Sequence, residues 1–508
     1  EAVPGDPDFL VNLGGALQAD GRLTEAVDAF ERAIESQPDC VDAHNNLGLV
    51  LQKLDRPDEA VVSIERALGI EPNHTGALNN LGNALADQEK TAEAKEAFER
   101  ALAIDPENTE SLNGIGVVHK LLDNPDEAMA QFEKVLTIDP GHGEAHINLG
   151  NELRHLGRLS DAIAIYRRGL EHDPDSEELH ICLAQALLQT EQFEKGWKEM
   201  EWRFKRSELK FPKLKFQEPL WDGSDLSGKT ILVWNEQGVG DEIMYSTCLT
   251  DLLEKKNPAK CIFECDPRLV GFYERTFPEM EVMALLPAEQ GADAGNYPAF
   301  DVHLPIAALA RPFRNSIDDF PRAITNLVPD PELVALWRSR FDELDDRPKV
   351  GIAWRGGVRS DIRGRRSIPV SDLGPLLEVE GVTFVNLQYG DCEAELRAIE
   401  DETGVRVHDW DDVDPMTDLE TQAAQIANLD FVIQATNASG HLSGILGVRV
   451  WTLIPFAPDS RWMLGRADSP WYPSMRLFRQ PAKDDWRTPV SEAARALKDR
   501  LQETVGKT

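Results

Sequence analysis

The first 206 residues carry one pattern of apolar and polar positions again and again, offset by 34 residues. Counting from Pro7, small or apolar side chains fall at Leu13, Gly14, Leu17, Ala26, Phe30 and Ala33, closed by Pro38. The same slots become Leu47, Gly48, Leu51, Ala60, Ile64, Ala67 and Pro72, then Leu81, Gly82, Leu85, Ala94, Phe98, Ala101 and Pro106. A fourth set (Ile115, Gly116, His119, Ala128, Phe132, Val135, Pro140) and a fifth (Leu149, Gly150, Leu153, Ala162, Tyr166, Gly169, Pro174) follow. A sixth opens with Leu183, Ala184 and Leu187 and then drifts, with Gly196, Met200 and Arg203 in the signature slots. Each unit predicts two antiparallel helices, brought close by the small residues, with the proline stopping the second. Drift at the end is expected where a repeat lacks a neighbour on one face.

Spacing and residue types together are those of tetratricopeptide repeats, so residues 1–206 are expected to form an α-solenoid that holds another protein. A linker is expected over 207–228, where prolines, lysines and glycines replace the helical period. Strands and helices then alternate. Strands are expected at Thr230–Asn235, Cys261–Cys265 and Asp301–Pro305, with helices to Lys256 and over Arg268–Phe277, and an irregular loop at Pro287–Pro298. A second series has strands at Lys349–Trp354, Phe384–Gln388, Val405–Trp410, Asp430–Ala435 and Val448–Ile454. Its helices are expected at Val370–Glu378, Glu393–Glu402, Leu419–Leu429, from Thr436 to Gly447, and about Ser491–Val505. Such alternation predicts parallel sheets, here two Rossmann-like lobes over 229–345 and 346–508 with a cleft between them. Ligands in these sheets sit outside the carboxyl ends of the strands, which directs attention to the loops there.

Composition narrows the partners. Lys and Arg total 53 against 89 Asp and Glu, a formal charge of −36, of which about −21 falls on the first 206 residues. This disfavours nucleic acid and anionic membrane, and its simplest reading is solubility. No apolar run approaches the ~18 residues of a membrane span, and no secretory signal is visible. The chain starts at Glu1 rather than Met, so a native N-terminus is expected upstream. Six scattered cysteines fit neither a zinc knuckle nor a redox pair, and predict reduced thiols in a cytoplasmic protein.

Three loops carry candidate chemistry. In Glu236-Gln-Gly-Val-Gly-Asp241, Gly238 and Gly240 let the backbone pass close to a ligand, and Asp241 stands at a helix start either as an N-cap or as a general base facing a cleft. In Thr436-Asn-Ala-Ser-Gly-His441, backbone N–H groups suit a phosphate. Thr436 and Ser439 could add hydroxyls, and His441, if protonated, could counter a leaving phosphate; otherwise it is a half-buried helix histidine. The third loop groups Arg355, Arg359, Arg363, Arg365 and Arg366, of which one or two are expected to meet an anion. No Walker lysine, metal-ligand cluster or full dinucleotide fingerprint appears, so no cofactor is expected and glycosyl transfer from a nucleotide sugar fits best.

The order Gly196-Trp, Glu201-Trp-Arg203, Trp221-Asp-Gly223, Glu236–Asp241, Ser439-Gly-His-Leu-Ser-Gly444 and Ser469-Pro-Trp-Tyr-Pro473 through Phe478-Arg-Gln480 resembles bacterial tetratricopeptide proteins with a glycosyltransferase domain. That domain is similar to lipopolysaccharide heptosyltransferases and, more remotely, to O-GlcNAc transferase. The resemblance implies a GT-B fold, a metal-independent inverting mechanism, and nucleotide-sugar binding mainly by the C-terminal lobe. It implies Asp241 as base and His441 at the helix that cradles the donor phosphates. Arg366 and Gln388 match more loosely, as a basic residue and a strand-end glutamine near the nucleotide. Together with Gly238, Gly240, Arg355, Asn437, Ser439 and Gly440 they form the expected nucleotide-sugar site. Relatives carry Asp-Thr where this chain has Ala435-Thr436-Asn437, which implies either a different donor, such as a CMP-linked acidic sugar, or reduced activity. Similar fused proteins glycosylate flagellin with nonulosonic acids. The alternatives are a glycan or lipopolysaccharide transferase, and a scaffold with a degenerate transferase domain.

Sixth in the repeats stand Asn12, Asn46, Asn80 and Asn148, with Gly114 interrupting the row. Stacked on one inner face, their amides would pair with a bound peptide backbone, as a similar ladder does in O-GlcNAc transferase; equally, asparagine is common before Leu-Gly in such repeats.

Overall fold

The computed structural model describes residues 6–205, 216–287, 293–357 and 364–505. The chain divides into two compact units, Glu1–Cys182 and Leu183–Thr508.

The first unit is built of helix pairs: α1 (Pro7–Ala19) with α2 (Leu23–Ser36), α3 (Val41–Lys53) with α4 (Pro57–Ile70), and α5 (Thr75–Asp87) with α6 (Thr91–Ile104). Next come α7 (Thr109–Leu121) with α8 (Pro125–Ile138), then α9 (Gly143–His155) with α10 (Leu159–His172). The repeat pattern has a steric origin. A Cβ on Gly82 would fall 2.5 Å from the Phe98 ring, and one on Gly150 would fall 2.2 Å from Tyr166, so the two helices of a pair meet where one has no side chain. The first helices of successive repeats also touch one another, which stacks equivalent positions along one layer.

Helices α11 (Glu177–Gln189) and α12 (Phe193–Met200) complete the sixth repeat. Its drift has a cause. Phe193 and Trp197 of α12 are buried in the core of the second unit with Trp221, Phe313 and Phe320, and Trp197 Nε1 donates to the Arg314 carbonyl at 2.6 Å. Of the drifted slots, Met200 packs against that core and Arg203 lies 3.4 Å from Glu236.

That core holds two all-parallel sheets. The first contains β1 (Thr230–Trp234), β2 (Lys260–Cys265), β3 (Glu281–Ala284) and β4 (Val302–Pro305) in the order β3-β2-β1-β4. Around it run α13 (Val239–Ser246), α14 (Leu249–Lys256), α15 (Val270–Thr276) and α16 (Ala310–Phe313), followed by α17 (Pro331–Asp342). The second sheet contains β5 (Lys349–Ala353), β6 (Thr383–Asn386), β7 (Val407–His408), β8 (Phe431–Ala435), β9 (Val450–Ile454) and β10 (Met475–Arg479). Its order, β10-β9-β8-β5-β6-β7, is the doubly wound arrangement, with the direction of winding reversing between β5 and β8. The helices α18 (Gly374–Leu377), α19 (Glu393–Thr403), α20 (Leu419–Ile426), α21 (Ala438–Ile445) and α22 (Arg487–Val505) accompany it.

Several expected elements differ. Strands β3 and β10 and helix α17 were not expected, and the strand expected over Val405–Trp410 shrinks to β7. The helix expected at Val370–Glu378 breaks into a 3₁₀ turn and α18, because Pro375 sits inside it. Trp337 and Phe341 of α17 pack on Trp410 with ring centroids 5.0 and 5.7 Å apart, so this helix, from before residue 346, serves the second sheet. None of the six cysteines, all among the described residues, forms a disulfide.

Candidate active-site cleft

The loop after β1 and the loop after β8 leave their sheets at the carboxyl ends of strands beside the points where strand order reverses. They bring α13 and α21 together. A Cβ on Gly240 would lie 3.2 Å from the His441 ring and 3.5 Å from the Ala438 backbone, so Gly240 permits this approach rather than contact with a ligand. Gly238 caps α13 at φ −69° with open space around it, and nothing in its geometry demands glycine. A cleft of about 510 Å³ opens here, lined by Gly238, Gly240, Asp241, Arg366, Asn437, Ser439 and His441 among the expected residues.

Asp241 is the third residue of α13 and caps nothing. Its Oδ1 lies 2.5 Å from Nη1 of Arg461, which was not among the expected site residues. Arg461 also approaches Asp459 (3.7 Å), and Asp459 accepts two bonds from Arg366 Nη2 at 2.7 and 2.8 Å. Burial opposes charge on Arg461, but Asp241 and Asp459 override it and push its pKa up. Arginine and carboxylate therefore alternate along the cleft: Asp241, Arg461, Asp459, Arg366.

His441 is buried and stacks on Trp462 at 5.4 Å between centroids; its Nδ1 lies 2.9 Å from the Tyr472 hydroxyl and its Nε2 3.5 Å from Arg461 Nη1. Burial first, then Arg461 and Arg366, hold its pKa well below the usual histidine value. The imidazole is thus neutral at neutral pH. In the ligand-free protein it therefore stands as a hydrogen-bonding group at the cleft wall and not as a cation.

Helix α21 starts in the cleft. Asn437 is its N-cap, accepting from the Gly440 N–H at 3.1 Å while its own amide donates to the Arg355 carbonyl at 3.2 Å. Ser439 accepts from Gln422 Nε2 at 3.0 Å. Gly440 faces inward, where a Cβ would meet the Gln434 amide at 2.5 Å. Thr436 is different. It lines the cleft, is 4% exposed, and its hydroxyl is buried with no hydrogen-bond partner among the described residues.

Two expected ligand residues are structural. Arg355 is buried, donates to the carbonyls of Tyr389 and Asp391 at 3.1 and 2.9 Å, and lies 3.3 Å from Glu395. Gln388 accepts the backbone N–H groups of Trp354 and Arg355 at 3.0 and 2.7 Å. Both tie the loop after β5 to the loop after β6, and neither lines the cleft. Arg359 and Arg363 lie outside the described residues. Among the described residues, no group of three or more His, Cys, Asp or Glu is placed to hold a metal ion.

In the first unit the asparagine row proves partly internal. Asn80 donates to Asn45 Oδ1 at 2.8 Å and Asn148 donates to Asn113 Oδ1 at 3.1 Å, so each amide NH₂ bridges to the preceding repeat. Asn46 accepts from Asn45 at 3.5 Å and is half-buried, and Asn12 is exposed. Gly114 breaks the row because a Cβ there would lie 2.3 Å from the Phe98 ring.

Residues 14–55, 39–107, 75–141 and 121–180 match the family descriptions "TPR repeat" and "Tetratricopeptide repeat". The chain contains tetratricopeptide repeats. It is 34% identical over 324 residues to Protein FlbA of Caulobacter vibrioides, an alignment that takes in 62% of this chain and 54% of that protein. The chain thus spans about half the length of this curated relative. Among solved structures it resembles TTC0263, a thermophilic TPR protein of Thermus thermophilus, at 25% identity over 36% of this chain and 99% of that one, with a TM-score of 0.34. It also resembles PilF of Pseudomonas aeruginosa at 21% identity over 38% of this chain and 88% of that one, with a TM-score of 0.33. No helix among the described residues is long and apolar enough to cross a membrane.

Proposed function

We propose that the tetratricopeptide-repeat protein described here is a nucleotide-sugar-dependent inverting glycosyltransferase of the GT-B type that modifies Ser or Thr of a protein held by the repeats. One observation carries the reading. The start of α21, with the buried unpartnered Thr436 hydroxyl, shares a cleft with three arginines, Arg268, Arg366 and Arg461, and stands opposite the Asp241 carboxylate. Of the first-turn N–H groups of α21, that of Gly440 is capped by Asn437, and those of Ala438 and Ser439, which no carbonyl of their own helix can reach, suit a phosphate. In the reaction the acceptor O–H proton passes to Asp241, and the freed oxygen attacks the anomeric carbon. The bond from that carbon to the phosphate oxygen breaks, and its electron pair leaves on the phosphate, met by the helix start and an arginine.

Ala435 is fully buried at the end of β8, so the acid that relatives carry there is replaced by an apolar core residue. A donor bearing its own carboxylate, such as a CMP-linked nonulosonic acid, meets less repulsion in such a cleft. Flagellin is the acceptor that the resemblance brings with it. A non-catalytic scaffold is the second reading, favoured by the ion pair that occupies Asp241. Co-expression with flagellin and the nonulosonic-acid pathway separates them: intact-mass measurement should show sugar added to flagellin, and none with Asp241→Ala. Unmodified flagellin with both proteins removes this donor and acceptor pair from consideration.

A further inference from the structure

Arg461 sits in a 3₁₀ turn, Ser460–Trp462, between β9 and β10, and several contacts fix where its guanidinium points. Gln189 Nε2 donates to the Pro458 carbonyl at 2.7 Å, and the Leu464 N–H returns a bond to the Gln189 carbonyl at 3.2 Å. Arg479 donates to the carbonyls of Trp462 and Arg466 at 2.5 and 2.7 Å. Met463, the next residue, is buried and held at φ +48°, ψ −176°, a backbone region that ordinarily belongs to glycine. The loop is therefore clamped from both sides in a conformation that its own residues disfavour.

What the clamp achieves is to aim Arg461 across the cleft at Asp241, which belongs to the other sheet's first helix. The four charges Asp241, Arg461, Asp459 and Arg366 cancel, and Arg268, the third arginine lining the cleft, is paired with Asp266 at 2.7 Å, so each of these arginines is committed to a carboxylate. Asp459 already accepts two bonds from Arg366 and stands 3.7 Å from Arg461, so among the described residues the short ion pair of Arg461 is the one with Asp241. Arg461 also touches the His441 wall at 3.5 Å, beside the α21 start where a phosphate would sit. A guanidinium has five donors, and a phosphate offers it two-point bonding that a single carboxylate oxygen does not.

We infer that Arg461 is a shared cation that exchanges partners: it neutralises Asp241 in the ligand-free protein and turns to the phosphates of an entering ligand, which frees the Asp241 carboxylate. The inference rests on the reading of this cleft as a phosphate site facing a base. Its consequence is that Asp241 competes with the ligand for Arg461, so the measured affinity is lowered by the fraction of protein in which the pair is closed.

Calorimetric titration of the full chain with inorganic pyrophosphate tests this by a double-mutant cycle. Asp241→Asn keeps the shape and removes the competitor, so pyrophosphate should bind more tightly, by about tenfold if the pair is closed in ~90% of the free protein. Arg461→Gln should weaken binding, and Asp241→Asn should have no effect when added to it. Arg461→Lys, which retains a cation without the fork, should fall between and guards against misfolding of the glutamine variant. A merely structural pair predicts the opposite for Asp241→Asn, unchanged or weaker binding, and that result overturns the exchange, as does tightening that persists without Arg461. Absence of pyrophosphate binding to every variant overturns it too. The two readings fail separately: if a nucleotide binds wild type and Asp241→Asn equally, the cleft is a nucleotide site and only the exchange is wrong, whereas a cleft that binds pyrophosphate as expected but no nucleotide removes the transferase reading and leaves the exchange.

Discussion

Neighbouring carboxylates on α13 have opposite environments. Asp241 faces the cleft, whereas Glu242 is fully buried, accepts the Asp266 N–H at 2.9 Å and is pushed up to about 8 by that burial. Because its native value lies above the usual 4.5, its contribution is fully present below pH 4.5 and is lost as pH rises through 8, while the unfolded chain ionises and the native state does not. Glu242→Gln mimics the protonated form. Its melting temperature should exceed that of wild type by more at pH 8 than at pH 5; an equal gap at both values would mean that Glu242 does not titrate in this way. His441 acts in the opposite sense, since a depressed histidine loses stability as pH falls from 6.5. At this scale the sequence showed which loops matter but not which side chains are spent. Asp241 and His441 were legible as strand-to-helix loop residues. Arg461 was not, because nothing in Asp459-Ser-Arg-Trp462 resembles a motif; its only signal was a place beyond the carboxyl end of a buried strand. Arg355 looked like a ligand residue because an arginine bonded to buried carbonyls and one bonded to phosphate read alike in sequence; Gln388 came from the resemblance alone, and its side chain accepts backbone N–H groups.

Among the elements, the repeat helices were legible as pairs, since the glycine of each first helix meets a large side chain of the second, as Gly82 meets Phe98. Gly114 is the informative exception. It stands where other repeats have asparagine, and Phe98 fills the space of its missing side chain. Gly114→Asn, which would restore the row, should therefore destabilise the repeats by about 1–3 kcal/mol, the usual cost of overpacking. Equal or raised stability in urea unfolding would show that Phe98 can move aside. The elements missed were short or at edges. Strand β3 is only partly buried, so its pattern lacks the apolar run of β1. Strand β10, by contrast, alternates Met475, Arg476, Leu477 and was readable. Helix α17 was announced by Asp330-Pro331-Glu332, an N-cap followed by proline at the first helical position.

At the scale of the whole molecule, a chain of net charge −36 keeps arginines in one cleft of an α/β unit and pairs them there with carboxylates. A solvated surface has no need of that arrangement, whereas an anion site that must not attract every anion does. The repeats supply a stack of helices in which Asn80 and Asn148 donate to Asn45 and Asn113 of the preceding repeats. The central claim is that the cleft binds the nucleotide of a sugar donor. Its most direct test is thermal stabilisation of the full chain by CMP, CDP, UDP, GDP and ADP in turn, because a ligand of the native state must raise its melting temperature. A saturable rise with one nucleotide of the five is expected, and a smaller rise when Thr436→Val removes the unpartnered hydroxyl. A melting temperature unmoved by all five would contradict the claim.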